Sequence, residues 1–576
     1  MKHTYFLLAG LSGWLLANSV AAQTPIVTSV SPARNALAVP PTTAVSATFS
    51  QPLTSNPATL GALKVFSQQA GGLKTGSRTV NGNTLTFLPS AGFKPGEILQ
   101  ATVTADAQGS TGPLAQPQVW QFTTAATPST GVFSGGSDLP TASTYPGTWV
   151  AAGDIDGDGD LDLVTVNYDY YGTVNVRRND GTGRFGSPEF VYPNVGPTSL
   201  TLADVDGDGD LDLLIVTIYS EGNVSVRLND GTGRFSGEFT GLYEVPVGSY
   251  PQNVVAADLD ADGDLDLLTA NRNSSTVSVR LNTGVGRFTA SQEVAITNGL
   301  SRVVAADVDG DGDLDFVTSN NAYGSSISVH LNTGQGRFSG GHDQPVEDPP
   351  YALALADVDA DGDVDLLMTN LTNHTVRVRL NEGTGYFSGG SDVQVGENGS
   401  GVPLSLAIAD VDGDGDLDLL TANSSNPNNP ASPTVSVRLN NGTGTFSGTQ
   451  EVPVASTPSS ITVGDVDGDG TLDLATANAN GSVSVRLNAP RVLATRVSQT
   501  RFSLSLYPNP ATTTVHITGV PAGSQVQLVD ALGRFAYTSL VTTDATISLQ
   551  GITPGLYTLQ ATDPQNHRYS SRLVVE

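Results

Sequence analysis

The chain has 576 residues, a formal net charge of −30, 64 glycines, 33 prolines and no cysteine. So acidic a chain has no electrostatic reason to bind nucleic acid or an anionic membrane. Without cysteine neither a disulfide framework nor a lipid anchor is available, so stability rests on packing and metal. Residues 1–22 join Lys2, an apolar stretch from Tyr5 to Ala17 and the small residues Ser19-Val20-Ala21-Ala22. This order describes a secretory signal peptide cut after Ala22. The stretch is too short to span a bilayer, and no later segment is suited to do so. Residues 25–125 alternate as strands do, with frequent prolines, and about 100 residues of short strands suit a β-sandwich. Ala125 to Thr130 reads as a linker.

From residue 130 to 490 the chain is a tandem array. The run Asp-x-Asp-Gly/Ala-Asp-Gly-x-x-Asp begins at Asp154, Asp204, Asp258, Asp307, Asp357, Asp410 and Asp465, in steps of 50, 54, 49, 50, 53 and 55 residues. Carboxylates at positions 1, 3 and 5 point into one concavity, glycine at position 6 permits a sharp turn, position 7 offers its carbonyl and position 9 closes the shell. Such an oxygen-rich loop suits calcium before magnesium. The loop residues are Asp154, Asp156, Asp158, Asp160 and Asp162; Asp204, Asp206, Asp208, Asp210 and Asp212; Asp258, Asp260, Asp262, Asp264 and Asp266; and Asp307, Asp309, Asp311, Asp313 and Asp315. Asp357, Asp359, Asp361, Asp363 and Asp365, then Asp410, Asp412, Asp414, Asp416 and Asp418, then Asp465, Asp467, Asp469, Thr471 and Asp473 complete the set. Of the 56 acidic residues 34 lie in these runs, which therefore account for the whole net charge. Carboxylates so crowded repel unless a cation sits among them, so about seven Ca2+ sites are expected.

An EF-hand needs a glutamate at position 12, but Thr165, Ile215, Thr269, Thr318, Met368, Thr421 and Thr476 stand there. Apolar runs such as Leu211 to Val216 flank each loop and read as buried strands. An alternating segment such as Val224 to Asn229 follows, then a turn Asn-x-Gly-x-Gly-x-Phe and a weaker fourth strand. Four strands per 50 residues predict a seven-bladed β-propeller over 130–490, and the chain as a whole reads as all-β, with an N-terminal β-sandwich and a small C-terminal β-sandwich flanking the ring. The last unit lacks its fourth strand, and Gly131-Val132-Phe133-Ser134-Gly135 is expected to supply it and close the ring.

The seven units resemble FG-GAP/VCBS repeats, the family that includes the integrin α-chain propeller. Its calcium loop, Asp-x-Asp-x-Asp-Gly-x-x-Asp, is met at positions 1, 3, 5, 6 and 9 in every unit, while its Phe-Gly signature is only partly kept. Val27-x-x-Val30-x-Pro32, Phe49-Ser50-Gln51-Pro52-Leu53 and Trp120-Gln121-Phe122-Thr123-Thr124 resemble bacterial Ig-like domains. Beyond a linker at 491–501, residues 502–576 carry Tyr507-Pro508-Asn509-Pro510, Leu532-Gly533-Arg534 and Pro554-Gly555-Leu556-Tyr557. These are similar to the C-terminal sorting domain of the type IX secretion system. The resemblance implies handling by that machinery, then release or attachment at the cell surface.

Little asymmetric chemistry remains. His330, His342, His374, His516 and His567 make no nucleophile or zinc motif, and free acids such as Glu221, Asp343, Glu347 and Asp348 are scattered. A carbohydrate-active enzyme, either a lyase or a glycoside hydrolase, is the second reading, and a structural spacer the third. The first is an adhesion or ligand-binding scaffold for an extracellular glycan or protein. The calcium loops and the Gly-x-Gly turns share one face of the disc. On the opposite face fall Tyr145, Tyr168, Tyr170, Tyr171, Tyr219, Tyr250, Tyr323 and Tyr351, an aromatic set suited to such a ligand.

Overall fold

Each of the first six repeats forms one antiparallel sheet with its strands in sequence order, and the seventh gives three strands to a sheet completed from the N-terminal side. In the second repeat the strands are Pro197–Ala203, Asp212–Thr217, Asn223–Arg227 and Glu244–Pro246. All six residues of Asp212–Thr217 are buried, because neighbouring sheets cover both faces; hence the continuous apolar run. In the computed structural model the residues described are 23–141, 146–168, 172–193, 196–218, 222–235, 244–297, 299–321, 325–399, 401–424, 433–490, 504–530, 535–564 and 568–576. Among them the array makes seven such sheets, the fifth with an added short strand. The innermost strands are Gly147–Gly153, Pro197–Ala203, Pro251–Ala257, Leu300–Ala306, Pro350–Ala356, Val402–Ala409 and Pro458–Gly464. Each packs on the next, and the last packs on the first. The array is a closed propeller.

Closure uses the N-terminal side of the array, with one shift from expectation. The regular ladder is made by Ser137–Pro140 against Ser482–Arg486 in the last sheet, Ser137 opposite Val485 and Pro140 opposite Ser482, and of the expected 131–135 segment Ser134 bonds the Leu487 carbonyl. Phe133 lies just before this strand and is buried among Val411, Val437, Leu472 and Leu474, between the last two sheets. Its aromatic ring anchors the approach, while the Ser134 N–H beside it already donates to the Leu487 carbonyl at 2.8 Å and Ser129 bridges Pro490.

Residues 23–124 form two four-stranded sheets over a core that includes Phe49, Leu85, Phe87, Trp120 and Phe122. The chain divides into two compact units, Met1–Arg491 and Val492–Glu576. The second unit has a three-stranded and a four-stranded sheet around Val515, Leu528, Leu559 and Leu573. No helix among the described residues is long and apolar enough to cross a membrane. The proposed signal peptide, the 491–501 linker and the Leu532-Gly533-Arg534 motif lie outside the described residues.

Deleting residues 127–140 removes the buried Phe133 ring and reopens a sheet edge. The expected loss exceeds the ~3–5 kcal/mol of a buried Phe→Ala change. A calorimetric scan of the deletion variant that matches the parent would refute the closure assignment.

Candidate functional site

The acidic loops are built alike. The position-6 glycines, Gly159 to Gly470, have φ between 88° and 100°, a region closed to side-chain-bearing residues. This turn aims each position-6 N–H at Oδ2 of the position-1 aspartate, at 2.9–3.1 Å in all seven loops. The position-9 aspartate is the inner anchor. Its Oδ2 accepts the position-2 N–H at 2.8–3.1 Å. Its Oδ1 accepts an N–H from Asn179, Asn229, Asn282, Asn332, Asn381, Asn440 or Asn488, at 2.7–2.9 Å. The side-chain amide of that asparagine then donates to the position-2 carbonyl of the preceding loop, at 2.6–2.9 Å. Asn179 reaches Val466, so the chain of clasps runs round the whole ring. The asparagine recurs visibly in the sequence, where it passes for a turn residue.

Carboxylates at positions 1, 3 and 5 converge. Single oxygens of Asp154, Asp156 and Asp158 lie within 4.8 Å of one another, as do those of Asp258, Asp260 and Asp262, of Asp307, Asp309 and Asp311, and of Asp357, Asp359 and Asp361. In the second loop Asp204 and Asp206 group with Asp212. The position-5 aspartate is exposed in every loop, which leaves a route in from solvent. Position 7 turns elsewhere: a Cβ on Gly181 would lie 2.5 Å from Asp160 Oδ2, so that side chain packs on the hairpin turn of its own sheet. Thr471, at the same position, donates its hydroxyl to Asp469.

The donor set fits a divalent cation. Buried oxygens Oδ1 of Asp154, Asp156, Asp206, Asp258, Asp357 and Asp359 have no hydrogen-bond donor, and an unpaired buried carboxylate oxygen is costly. Burial, with the neighbouring aspartates adding to it, raises the carboxyls of Asp258, Asp212, Asp315, Asp418 and Asp473 to about 8 and those of Asp162 and Asp365 to about 7. A bound cation would hold all of them ionised.

Comparison with known families agrees with this geometry. The FG-GAP-like repeat model matches residues 154–215, 214–269, 258–318, 307–368, 357–421 and 410–476, more than half the chain. The chain belongs to the FG-GAP-like repeat family. A bacterial Ig-like domain model matches 21–124 of this FG-GAP-like protein, and a secretion system C-terminal sorting domain model matches 505–576. The protein is therefore a type IX secretion substrate, exported to the cell surface or released. No curated protein matches it. Among solved structures it is similar to an Agrocybe aegerita lectin that recognises non-reducing terminal N-acetylglucosamine. That match has 19% identity and a TM-score of 0.39, over 73% of this chain and 96% of the other. The BP39L lectin of Burkholderia pseudomallei matches at 13% identity and TM-score 0.45, over 60% and 99%. PorZ, a surface component of the type IX system of Porphyromonas gingivalis, matches at 13% and 0.37, over 94% and 81%. Likeness at this level assigns no ligand.

The Ig-like region of this FG-GAP-like protein lies on the acidic loops. The Gln69 carbonyl accepts the Asp154 N–H at 2.7 Å, and Lys94 reaches the Gly159 carbonyl. The Leu73 N–H donates to Asp204 at 2.9 Å, and the Thr102 hydroxyl to Asp258 at 2.7 Å. Lys64 bonds Gly263 and Asp264 at 2.7 and 3.1 Å, Arg34 pairs with Asp307 at 3.1 Å, and Asn35 donates to Gly362 at 2.8 Å. The linker adds N–H bonds from Ser129 to Asp412 and from Thr127 to Gly470. All seven loops are touched. On the opposite face, Tyr168 and Tyr250 are 48% and 38% exposed and Tyr351 is part-buried. Tyr145, Tyr170, Tyr171, Tyr219 and Tyr323 lie outside the described residues. His330 stacks on Phe316 at 4.8 Å, and burial lowers its pKa.

Proton linkage sets the metal-free behaviour. A folded carboxyl with its pKa raised to about 7 or 8 keeps its proton where an unfolded aspartate, near 3.9, has lost it. Stability then falls as pH rises from about 4 to 8. In chelator the melting temperature should drop steadily from pH 5 to pH 8, and added calcium should flatten that slope. A flat profile in chelator would contradict the raised carboxyls. Asn282→Ala strips donors from the Val205 and Leu265 carbonyls, so denaturant titration should show a loss of about 2–4 kcal/mol.

Proposed function

We propose that this secreted or surface propeller is a calcium-loaded scaffold that binds an extracellular glycan or protein on the face opposite its acidic loops. One observation carries the choice of face: the Ig-like region and its linker contact every acidic loop, which leaves the opposite face as the broad surface for a ligand. The described 2–3 loops and sheet-to-sheet connections there display Tyr168 and Tyr250 on a rigid frame. Calcium is the fitting cation because every ligand is an oxygen and the loops supply several carboxylates each. Residues at positions 1, 3, 5 and 9, with the position-7 carbonyl, would hold it, and the metal's part is to neutralise and fix the loops.

Extracellular calcium modules bind at about 10⁻⁴–10⁻³ M. Metal analysis at a few millimolar free calcium is expected to return about seven ions per chain; one or none would overturn the metal reading. The face assignment has its own check. A glycan and protein array probed with the parent chain and with a Tyr168→Ala/Tyr250→Ala double variant should show a ligand whose retention drops about tenfold in the variant, from losing two aromatic contacts. Unchanged retention would exclude that face.

A further inference from the structure

The mouth of the central channel, on the face opposite the acidic loops, holds an arginine that pairs with no carboxylate among the described residues. Each innermost strand runs from that face to its acidic loop, so residues at its start lie at the far mouth. Trp149 and Arg302 are each the third residue of such a strand, in the first and fourth sheets, and both follow the irregularity that opens it. Tyr351 is the second residue of the fifth innermost strand. The Arg302 guanidinium carbon lies 5.1 Å from the Trp149 ring centre and 5.5 Å from that of Tyr351. A side chain from the fourth sheet thus meets one from the first, across the channel.

Arg302 makes one side-chain hydrogen bond among the described residues, from Nη1 to the Gln252 carbonyl at 3.1 Å. Among the described residues no carboxylate comes within ion-pair distance of it, although Arg227, Arg280, Arg377 and Arg438 each have one. Loss of water pulls its pKa below the ordinary guanidinium value. A desolvated cation with aromatic rings beside it and most of its N–H edge unused is poised for a planar anion. Thr198 and Gln252 occupy the position of Tyr351 on the second and third innermost strands, and the buried Thr198 hydroxyl has no partner among the described residues. Such groups suit the hydroxyls of a sugar more than the apolar side chains of a peptide.

We propose that Arg302, flanked by Trp149 and Tyr351, binds the carboxylate of an acidic sugar such as a uronate or a sialate. This rests on the ligand-face reading above and names its ligand class. The test uses the full secreted chain in calcium and an array of uronate- and sialate-terminated glycans beside their carboxyl-reduced counterparts. Hits are then titrated with tryptophan emission as the signal, because Trp149 touches the site. The parent should retain acidic glycans, lose at least about tenfold on carboxyl reduction, and weaken as salt rises. Arg302→Gln should lose about tenfold or more, and Arg302→Lys less, with melting temperatures reporting the fold. Should Arg302→Gln fail to fold, the comparison of acidic and carboxyl-reduced probes on the parent decides. Retention of neutral glycans alone, or of acidic ones equally by Arg302→Gln, overturns this site while the ligand face stands. Retention of a peptide through its terminal carboxylate, with no glycan bound, also overturns it. No ligand of any kind removes both readings.

Discussion

The position-9 aspartate holds the propeller together. Each one takes an N–H from its own loop and another from the asparagine at or just past the end of the third strand. That asparagine passes its amide on to the loop of the preceding sheet. Loop shape, sheet geometry and sheet-to-sheet contact are therefore one connected set of bonds. The position-1 and position-3 carboxylates converge because this frame fixes where the loop begins and ends. Burying so many acids carries a cost, visible in their raised pKa values, and the frame tolerates it because the anchors are bonded by backbone N–H groups. The unpaired oxygens are left for a cation.

Charge also explains the seat of the Ig-like region. Arg34, Lys64 and Lys94 all land on acidic loops. Two of these pairs place a cation on a loop aspartate that is itself a candidate metal residue or its neighbour. The cap and the metal therefore share the work of offsetting one field. Partial exposure of both partners keeps each ion pair modest, so the breadth of the interface matters more than any single pair.

Repetition decided what the sequence could reveal. Seven similar aspartate runs at a regular step name the loops, the strands around them and the propeller, because each unit repeats the same local chemistry. Contacts that occur once are silent. Arg34 meets Asp307 across 273 residues and Lys64 meets Asp264 across 200, and neither pattern recurs. Arg302 and Trp149 likewise stand at equivalent places in sheets one and four, where only the closed ring brings them face to face. The closing strand is legible in the sequence to within a few residues: Phe133 carries the recognisable motif, Ser134 makes the first bond to the last sheet, and Ser137–Pro140 makes the regular ladder.

Closure has a mechanical side. The chain enters the propeller at Ser129 and leaves it at Pro490, and these two residues bridge each other antiparallel. Just inside, Asp138 and Arg486 pair at 2.9 Å across 348 residues. Tension between the two flanks of a tethered molecule enters and exits at this one seam. Because the paired strands are antiparallel and pulled from the same end, their bonds are loaded one at a time, as in a zipper. Once the Ig-like region has been lifted from the loops it contacts, the load falls on this seam alone, so the propeller has a mechanical weak point at the place where it is topologically sealed.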